Sequence, residues 1–304
     1  MDSQLPSVYV IIPSYNTADH LCRCLDSLRA QEAPPPLQIY VVDNASVDDS
    51  VARVRRDYPE ARLLSSTHNG GFAYAVNMGL RAVLAERSGQ AGRYDVLLLN
   101  SDTELPPTAL AEMVAFLEAH PEAGAAGPQL LMADGQIDLA GRRSFPTPAV
   151  AFYRLFGLAT LFPHSRRFGR YNLTYLDPAE TAEVDAISGA FMLVRGAVVE
   201  AVGLLDEAFF FYGEDLDWAY RIKARGWKIY YYPAVQVRHW KRASSRQRPR
   251  ASVKDFYQAM RIFHRKHFAP RYSWPVNTLV EVGITVREAL ALAPYLLRRQ
   301  EDRT

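Results

Sequence analysis

Cysteine is almost missing from this chain of 304 residues: Cys22 and Cys24 are the only two. They stand two apart on an expected helix, where such side chains point away from each other. This argues against a disulfide framework or a zinc site and fits a reducing compartment. Long apolar runs are lacking too, and none reaches the roughly 20 residues that a membrane-spanning helix needs. The opening MDSQLPS has no charged region followed by an apolar one, so no signal peptide is expected and the location read is cytoplasmic. The net charge is only +2, too little for the whole molecule to read as a nucleic-acid binder. Basic residues do gather late, in Arg238–Lys254. Repeats and low-complexity tracts are absent. The composition is 49% hydrophobic and 22% charged, ordinary for a folded protein of one large or two modest domains.

The organising stretch is Tyr94–Thr103, YDVLLLNSDT. Val96–Leu99 has no polar residue and suits a strand covered on both faces. It stops abruptly at Asn100-Ser101-Asp102, where open α/β sheets bind their ligands. Upstream, Val8–Ile12, Leu37–Val42 and Ala61–Ser65 read as strands. Helices are expected at Ala18–Gln31, Asp48–Asp57 and from Phe72 to about Ala85. That cadence predicts a doubly wound, mostly parallel sheet flanked by helices. Downstream, a helix Thr108–His120 is followed by a strand Gly124–Leu131 and a hairpin-type turn at Asp134-Gly135. Phe145–Tyr175, rich in aromatics, Pro and Arg, reads as a long functional loop. Strands are then expected at Ala186–Val194 and Lys228–Tyr232, and helices at Gly196–Val202, Asp215–Arg225 and Ser252–His267. An amphipathic segment Val276–Leu297 follows.

Acidic groups end strands or open helices at Asp43, Asp102 and Glu214-Asp215-x-Asp217. Each alone is as readily a helix cap or a turn. Asp102, in a strand-to-loop corner, is placed to hold a divalent cation against a diphosphate. Glu214 and Asp215 follow the apolar Phe209–Tyr212, where burial raises a carboxylate's pKa toward general-base work. Asn69-Gly70-Gly71 lets a phosphate approach helix-terminal amides. His239, beside Lys241 and Arg242, suits a transition metal or a diphosphate.

The segments VIIPSYN (Val10–Asn16), VVDNASVDDS (Val41–Ser50), NGGFAYAVNMGL (Asn69–Leu80), LLLNSDT (Leu97–Thr103), ISGAFMLVR (Ile187–Arg195) and FFYGEDLDWAYRIKARGWKIYYYP (Phe210–Pro233) together resemble family 2 glycosyltransferases. These are inverting enzymes of the GT-A fold, and the similarity is greatest to a rhamnosyltransferase-like branch that builds bacterial surface polysaccharides. The resemblance implies that Pro13, Tyr15 and Asp43 line the nucleotide, with Asn69, Gly71, Asn77, Asn100 and Ser101 on the donor side. It implies a metal, Mg²⁺ or Mn²⁺, at Asp102 and His239. Asp215 becomes the catalytic base beside Glu214, with Trp218 and Arg221 toward the acceptor. Asn100 stands where the family's DxD motif has its first Asp, which lowers the negative charge of the site.

The resemblance covers about residues 8–245, so a transferase domain is expected over 1–245, its nucleotide-sugar half about 1–130 and its acceptor half about 131–245. A helical extension is expected over 246–304. The implied donor is dTDP-rhamnose, with UDP- or GDP-sugars as the alternative, and the implied acceptor is a glycan or a polyprenol-diphosphate-linked sugar. The basic tract and Val276–Leu297, ending at Arg298-Arg299, suggest peripheral membrane or homodimer contact. Two rival classes are a non-catalytic nucleotide-sugar-binding protein and a sugar-nucleotide pyrophosphorylase. The second would carry a Gly-rich, basic loop after the first strand, which PSYNTADH is not.

Overall fold

The computed structural model describes residues 5–241 and 248–301; the side chains from 296 onward are not described. The N-terminal half alternates as expected: β1 (Ser7–Ser14), α1 (Ala18–Arg29), β2 (Leu37–Asp43), α2 (Ser50–Asp57), β3 (Arg62–Ser65), α3 (Phe72–Arg87) and β4 (Tyr94–Leu99). A two-residue strand β5 (Thr103–Glu104) precedes α4 (Ala109–Ala119) and β6 (Ala123–Leu131). Then come β7 (Arg142–Arg143), α5 (Pro148–Leu155), α6 (Leu158–Leu161), β8 (Ala182–Val184), β9 (Ala186–Ile187) and β10 (Phe191–Arg195). The chain continues through α7 (Gly196–Val202), α8 (Glu214–Ala224), β11 (Lys228–His239), α9 (Pro249–Phe263) and α10 (Trp274–Glu301).

The main sheet runs β3-β2-β1-β4-β10-β6-β11-β5, with β8 also paired to β11. β1 to β4 are parallel where they pair, and β10 runs antiparallel between β4 and β6. The period of two along a strand sorts side chains to opposite faces. Val8, Val10 and Ile12 of β1 and Leu97 and Leu99 of β4 therefore join one core with α1, α2 and α4. Tyr9, Ile11, Val96 and Leu98 join the other, with α3, α7 and α8. Both faces of the central strands are covered, as their unbroken apolar sequence requires.

Three expectations need correction. The single strand expected over Ala186–Val194 is broken at Ser188-Gly189-Ala190. β9 pairs with β7 in a separate two-stranded sheet, while β10 enters the main one. The supposed loop Phe145–Tyr175 contains α5, whose Thr147 caps it by accepting from Val150 N, and the short α6. Finally, β11 does not stop at Tyr232. Its pairing with β6 shifts between Tyr232 and Gln236 and continues to Arg238.

α9 packs Ala259 and Phe263 into the α3/α7/α8 core. The join is electrostatic as well. Asp217 of α8, fully buried, receives Arg221 Nε at 2.9 Å, Lys266 Nζ at 2.8 Å and His267 Nε2 at 2.7 Å. Burial works against its charge, yet these three partners hold its carboxyl down at about 2. Asp217→Ala should therefore cost about 3–5 kcal/mol in a urea melt at neutral pH, because Arg221 and Lys266 lose their counter-charge and His267 its hydrogen-bond partner. A carboxyl lowered from an unfolded value near 4 stabilises fully above that pH. Its contribution is lost as pH falls toward about 2, so the gap between wild type and variant should close across that window.

Candidate active site

The carboxyl ends of β1 and β2 and the turn into α3 form a cleft lined by Pro13, Tyr15, Asn44, Asn69, Gly71 and Phe211 among others. Asn44 builds it. Its Nδ2 donates to Asn69 Oδ1 and to Gly71 O, both at 3.0 Å, and its Oδ1 accepts from Gly70 N at 3.1 Å. Gly71 sits at φ +91°, where a side chain is strained, and a Cβ there would lie 2.3 Å from Phe210 O. Phe72 N donates to the same carbonyl at 2.8 Å, so the Phe210 segment lies across the loop. Asp43 stays behind the lining, buried, accepting from Ser46 N at 3.2 and 3.4 Å. The Ser101 hydroxyl bonds Thr17 Oγ1 at 2.9 Å, and Thr17 bonds Ser14 Oγ at 3.0 Å.

Beyond β4 the Asn100–Asp102 turn leads into β5, which pairs with the end of β11, His239 opposite Thr103. That pairing sets His239 Nε2 3.3 Å from Asp102 Oδ1, while Nδ1 meets Asp138 Oδ2 at 3.3 Å. Asp138 is also bound by Lys241 Nζ at 2.7 Å and by Ala140 N at 3.0 Å. Burial opposes a charge on His239, but hydrogen bonds to the two aspartates outweigh it and lift the imidazole to about 9. Burial opposes ionisation of Asp102 in the same way, and the His239 bond overcomes it, holding the carboxyl below its usual range. Asn100 Oδ1 is buried without a partner beside them.

Glu214 and Asp215 open α8 after Gly213, which takes φ +84°. Asp215 is the best-held carboxylate of the pair. Its Oδ2 accepts from Arg143 Nη2 at 2.6 Å and from Gly189 N at 3.1 Å, and its Oδ1 from Leu216 N at 2.7 Å. Gly189 lies in the break between β9 and β10; a Cβ there would approach the Cβ of Asp215 to 3.5 Å. Glu214 Oε2 is buried without a partner. Burial first, and repulsion from Asp215 second, push its carboxyl up to about 8. Asp102, His239, Glu214, Asp215 and Arg143 all line one cavity of about 850 Å³, which shares Pro13, Phe72 and Phe211 with the cleft.

Besides Asp43, three further expected site residues are elsewhere. Asn77 is buried, donating to Leu205 O at 2.9 Å and Glu207 Oε1 at 2.8 Å and accepting from Leu205 N at 2.9 Å. Trp218 is wholly buried, its Nε1 on Gly203 O at 2.9 Å. Arg221 donates to Val202 O at 2.9 Å and Leu204 O at 2.8 Å. All three grip the turn that leads to Phe209–Gly213 rather than touching the cavity. They hold the site's scaffold. Conversely, Asn44, Asp138 and Arg143 were not singled out. The adjacent Arg142-Arg143 inside a stretch without carboxylates was the available signal, since a buried arginine needs an acidic or carbonyl partner.

With this geometry in view, residues 6–256 match the family described as "Glycosyltransferase like family 2". The chain belongs to that family and is a glycosyltransferase. It is 28% identical over 298 residues, 97% of this chain and 94% of the other, to an N-acetylglucosaminyl-diphospho-decaprenol L-rhamnosyltransferase of Mycobacterium tuberculosis. It is 27% identical to an O-antigen biosynthesis protein of Myxococcus xanthus, over 79% of this chain but 18% of that one. Among solved structures, a mannosyltransferase from Pyrobaculum calidifontis with GDP-Man and Mn²⁺ superposes with TM-score 0.58 at 20% identity, covering 97% and 76% of the two chains. S. aureus TarS with UDP-GlcNAc superposes with TM-score 0.56 at 16% identity, covering 93% and 72%. The fold is GT-A.

Asn77→Ala should lower stability by about 1–3 kcal/mol, because Leu205 N and Glu207 lose their buried partner. Its nucleotide affinity, read by calorimetry, should stay close to wild type. Glu214 provides a second test with a defined sign. The folded state favours the protonated acid up to about 8, whereas the unfolded chain ionises near 4.3. Its contribution to stability therefore falls as pH rises through that interval. Glu214→Gln, which does not ionise, should melt at a higher temperature than wild type at pH 8 and show little gain at pH 4.

Proposed function

We propose that the chain is an inverting, metal-dependent transferase that moves L-rhamnose from dTDP-rhamnose to a polyprenol-diphosphate-linked sugar in surface polysaccharide synthesis. The observation that carries the reading is that Asp102 and Asp215 face one cavity that shares lining residues with the adjoining Asn44/Gly71 cleft. The cleft takes the nucleotide, and the diphosphate then lies toward Asp102. The rhamnose and the lipid-linked acceptor rest on the mycobacterial relative, which aligns over nearly its whole length. A cytoplasmic enzyme working at the inner membrane surface follows from such an acceptor.

The residues fit a divalent cation. The Asp102 carboxylate and the orphaned Asn100 Oδ1 are oxygen donors there, and His239 Nε2 would join them by giving up the proton it shares with Asp102. Among the described residues no group of three or more His, Cys, Asp or Glu could hold a metal ion by itself, so Mg²⁺ or Mn²⁺ here would need the substrate phosphates as further ligands. When bound, the ion supplies charge neutralisation at the departing diphosphate.

On the other side, Asp215 accepts the proton of the acceptor hydroxyl. The new bond forms between that oxygen and the anomeric carbon as the bond to the diphosphate breaks. One displacement from the opposite face inverts the centre and needs no glycosyl-enzyme intermediate, unlike retaining glycoside hydrolysis. Arg143 and Gly189 N fix the orientation of Asp215, and the Arg143 guanidinium offsets its charge. Glu214, kept protonated by burial, is a poor proton acceptor near neutrality.

Calorimetry with dTDP, UDP and GDP, with and without Mn²⁺, tests the reading. Preferred dTDP binding that weakens at least about tenfold without metal, or in Asp102→Ala, is the expected result. Preference for UDP or GDP would retain the transferase and discard rhamnose, and metal-independent binding would discard the cation. Asp215→Asn should bind donor like wild type and lose transfer by about a thousandfold or more. If that variant still transferred sugar normally, the base would be another group.

A further inference from the structure

The cavity does not end at the two carboxylates. It continues between α5, α9 and α10, past Ala151 and Leu155 of α5 and Phe256 and Met260 of α9 to Arg287 and Ala291 of α10. A site for nucleotide and sugar alone has no use for an apolar vestibule of this kind. The same helices are apolar on their outward sides. Phe152 of α5 and Phe156 at its C-terminal end lie with ring centroids 4.5 Å apart and rings tilted by 33°, and both face solvent, Phe156 at 61% exposure. Leu161, at the end of α6, is 69% exposed, and Phe162 follows it. On α10, Leu279, Val282, Val286 and Leu290 recur at helical spacing as an exposed stripe, Leu279 at 68% and Leu290 at 61%. α5 and α10 are in contact. These exposed apolar groups sit on or next to helices that also line the cavity, α5 and α10, and no part of the described chain covers them.

Charge says what covers them. Between Asp138 and Asp177 the sequence has no carboxylate side chain, while Arg154, Arg166, Arg167 and Arg170 punctuate the apolar run. Arg166 and Arg170 are exposed. Arg154 stacks on Tyr171 at 4.1 Å, and both line the cavity. On α10 the acids whose side chains are described are occupied: Glu288 by Arg261 at 2.7 Å and Glu281 by Arg265 at 2.7 Å. Arg287 is left at the mouth. Exposed aromatic and aliphatic groups interleaved with arginine fit an interfacial surface, where apolar groups enter the acyl boundary and guanidinium groups meet phosphates. A second soluble protein would leave the cationic excess unexplained. Among the described residues no helix is long and apolar enough to cross a membrane, so contact would be from one side.

We infer that the outward face of α5, α6 and α10 seats this enzyme on an anionic bilayer, with Arg154 and Arg287 flanking the mouth through which the acceptor's diphosphate enters while its hydrocarbon stays in the lipid. This rests on the transferase reading for the identity of the acceptor, but the seating itself does not. The surface keeps the expected Val276–Leu297, which lies within α10, and adds α5 and α6 to it; of the basic tract Arg238–Lys254, Arg242 and Arg246 lie outside the described residues, and the side chains of Arg298 and Arg299 are not described.

Flotation of the full chain with phosphatidylcholine vesicles, with or without about a third phosphatidylglycerol, tests it. Wild type should float with the anionic vesicles at low salt, less as salt rises, and little with the neutral ones. Phe156→Glu with Leu290→Glu should reduce flotation about tenfold while binding nucleotide and melting as wild type does. Arg166→Glu with Arg170→Glu, two exposed charge reversals, should weaken the anionic preference independently. Wild type that ignores anionic vesicles, or variants that float unchanged, would overturn the seating. So would a wild-type dimer in solution that the Phe156/Leu290 variant breaks, because a second copy would then be the occupant. None of these results requires catalysis, so transfer to a short-chain, water-soluble acceptor separates this failure from failure of the transferase reading.

Discussion

β11 is the constraint on which the site depends. It is the long strand that pairs with β6, β8 and β5, and it ends in the one imidazole that can stand between two buried aspartates. Buried carboxylates are costly unless their charge is met. Asp102 and Asp138 lie far apart in sequence, and His239 meets both. The two-residue pairing of β5 with β11 is thereby more than sheet closure. It sets the distance between the turn after β4 and the imidazole, and with it the shape of the corner toward which a diphosphate would lean.

The opposite wall is built by a different economy of charge. Asp215 is met by Arg143 and by backbone amides, which leaves the neighbouring Glu214 with an unpartnered oxygen in the same enclosed space. Burial, and then the neighbouring Asp215, favour the protonated form of Glu214. Arg143 reaches Asp215 because β7 pairs with β9 just before the Gly189 break. The short second sheet, easily overlooked, is what delivers the guanidinium. Behind this wall Asp217 ties α8 to the helices that follow, so within the acidic cluster at the start of α8, Glu214 and Asp215 face the cavity while Asp217 braces the fold.

The alternating fold of the N-terminal half was legible because apolar runs such as Val8–Ile12 and Val96–Leu99 are strong local signals, punctuated by Pro13 and by Asn100-Ser101-Asp102. The second half was less so. A run such as AISGAFMLV looks like one strand because its break, at Ser188-Gly189-Ala190, depends on where Asp215 and Arg143 approach. α5 and α6 read as loop because their apolar residues face both inward and outward, which hides any helical stripe. At the site, Asp102, His239, Glu214 and Asp215 were visible as residues and do share a cavity. Asn77, Trp218 and Arg221 were visible too, but their side chains turn to backbone groups of the Val202–Glu207 turn.

By itself, then, the sequence determined the strand-helix cadence, the family and the acidic residues at strand and helix ends, all of which depend on local pattern or on ordered motifs. The tertiary structure decided who meets whom. That His239 lies between Asp102 and Asp138, that Arg143 holds Asp215, that Asn44 shapes the Gly70-Gly71 loop, and that the cavity opens between α5 and α10 are all contacts between segments remote in the chain. No periodicity encodes them, because hydrogen-bond partners and burial are set by the packing of elements against one another and not by the spacing of residues along one element.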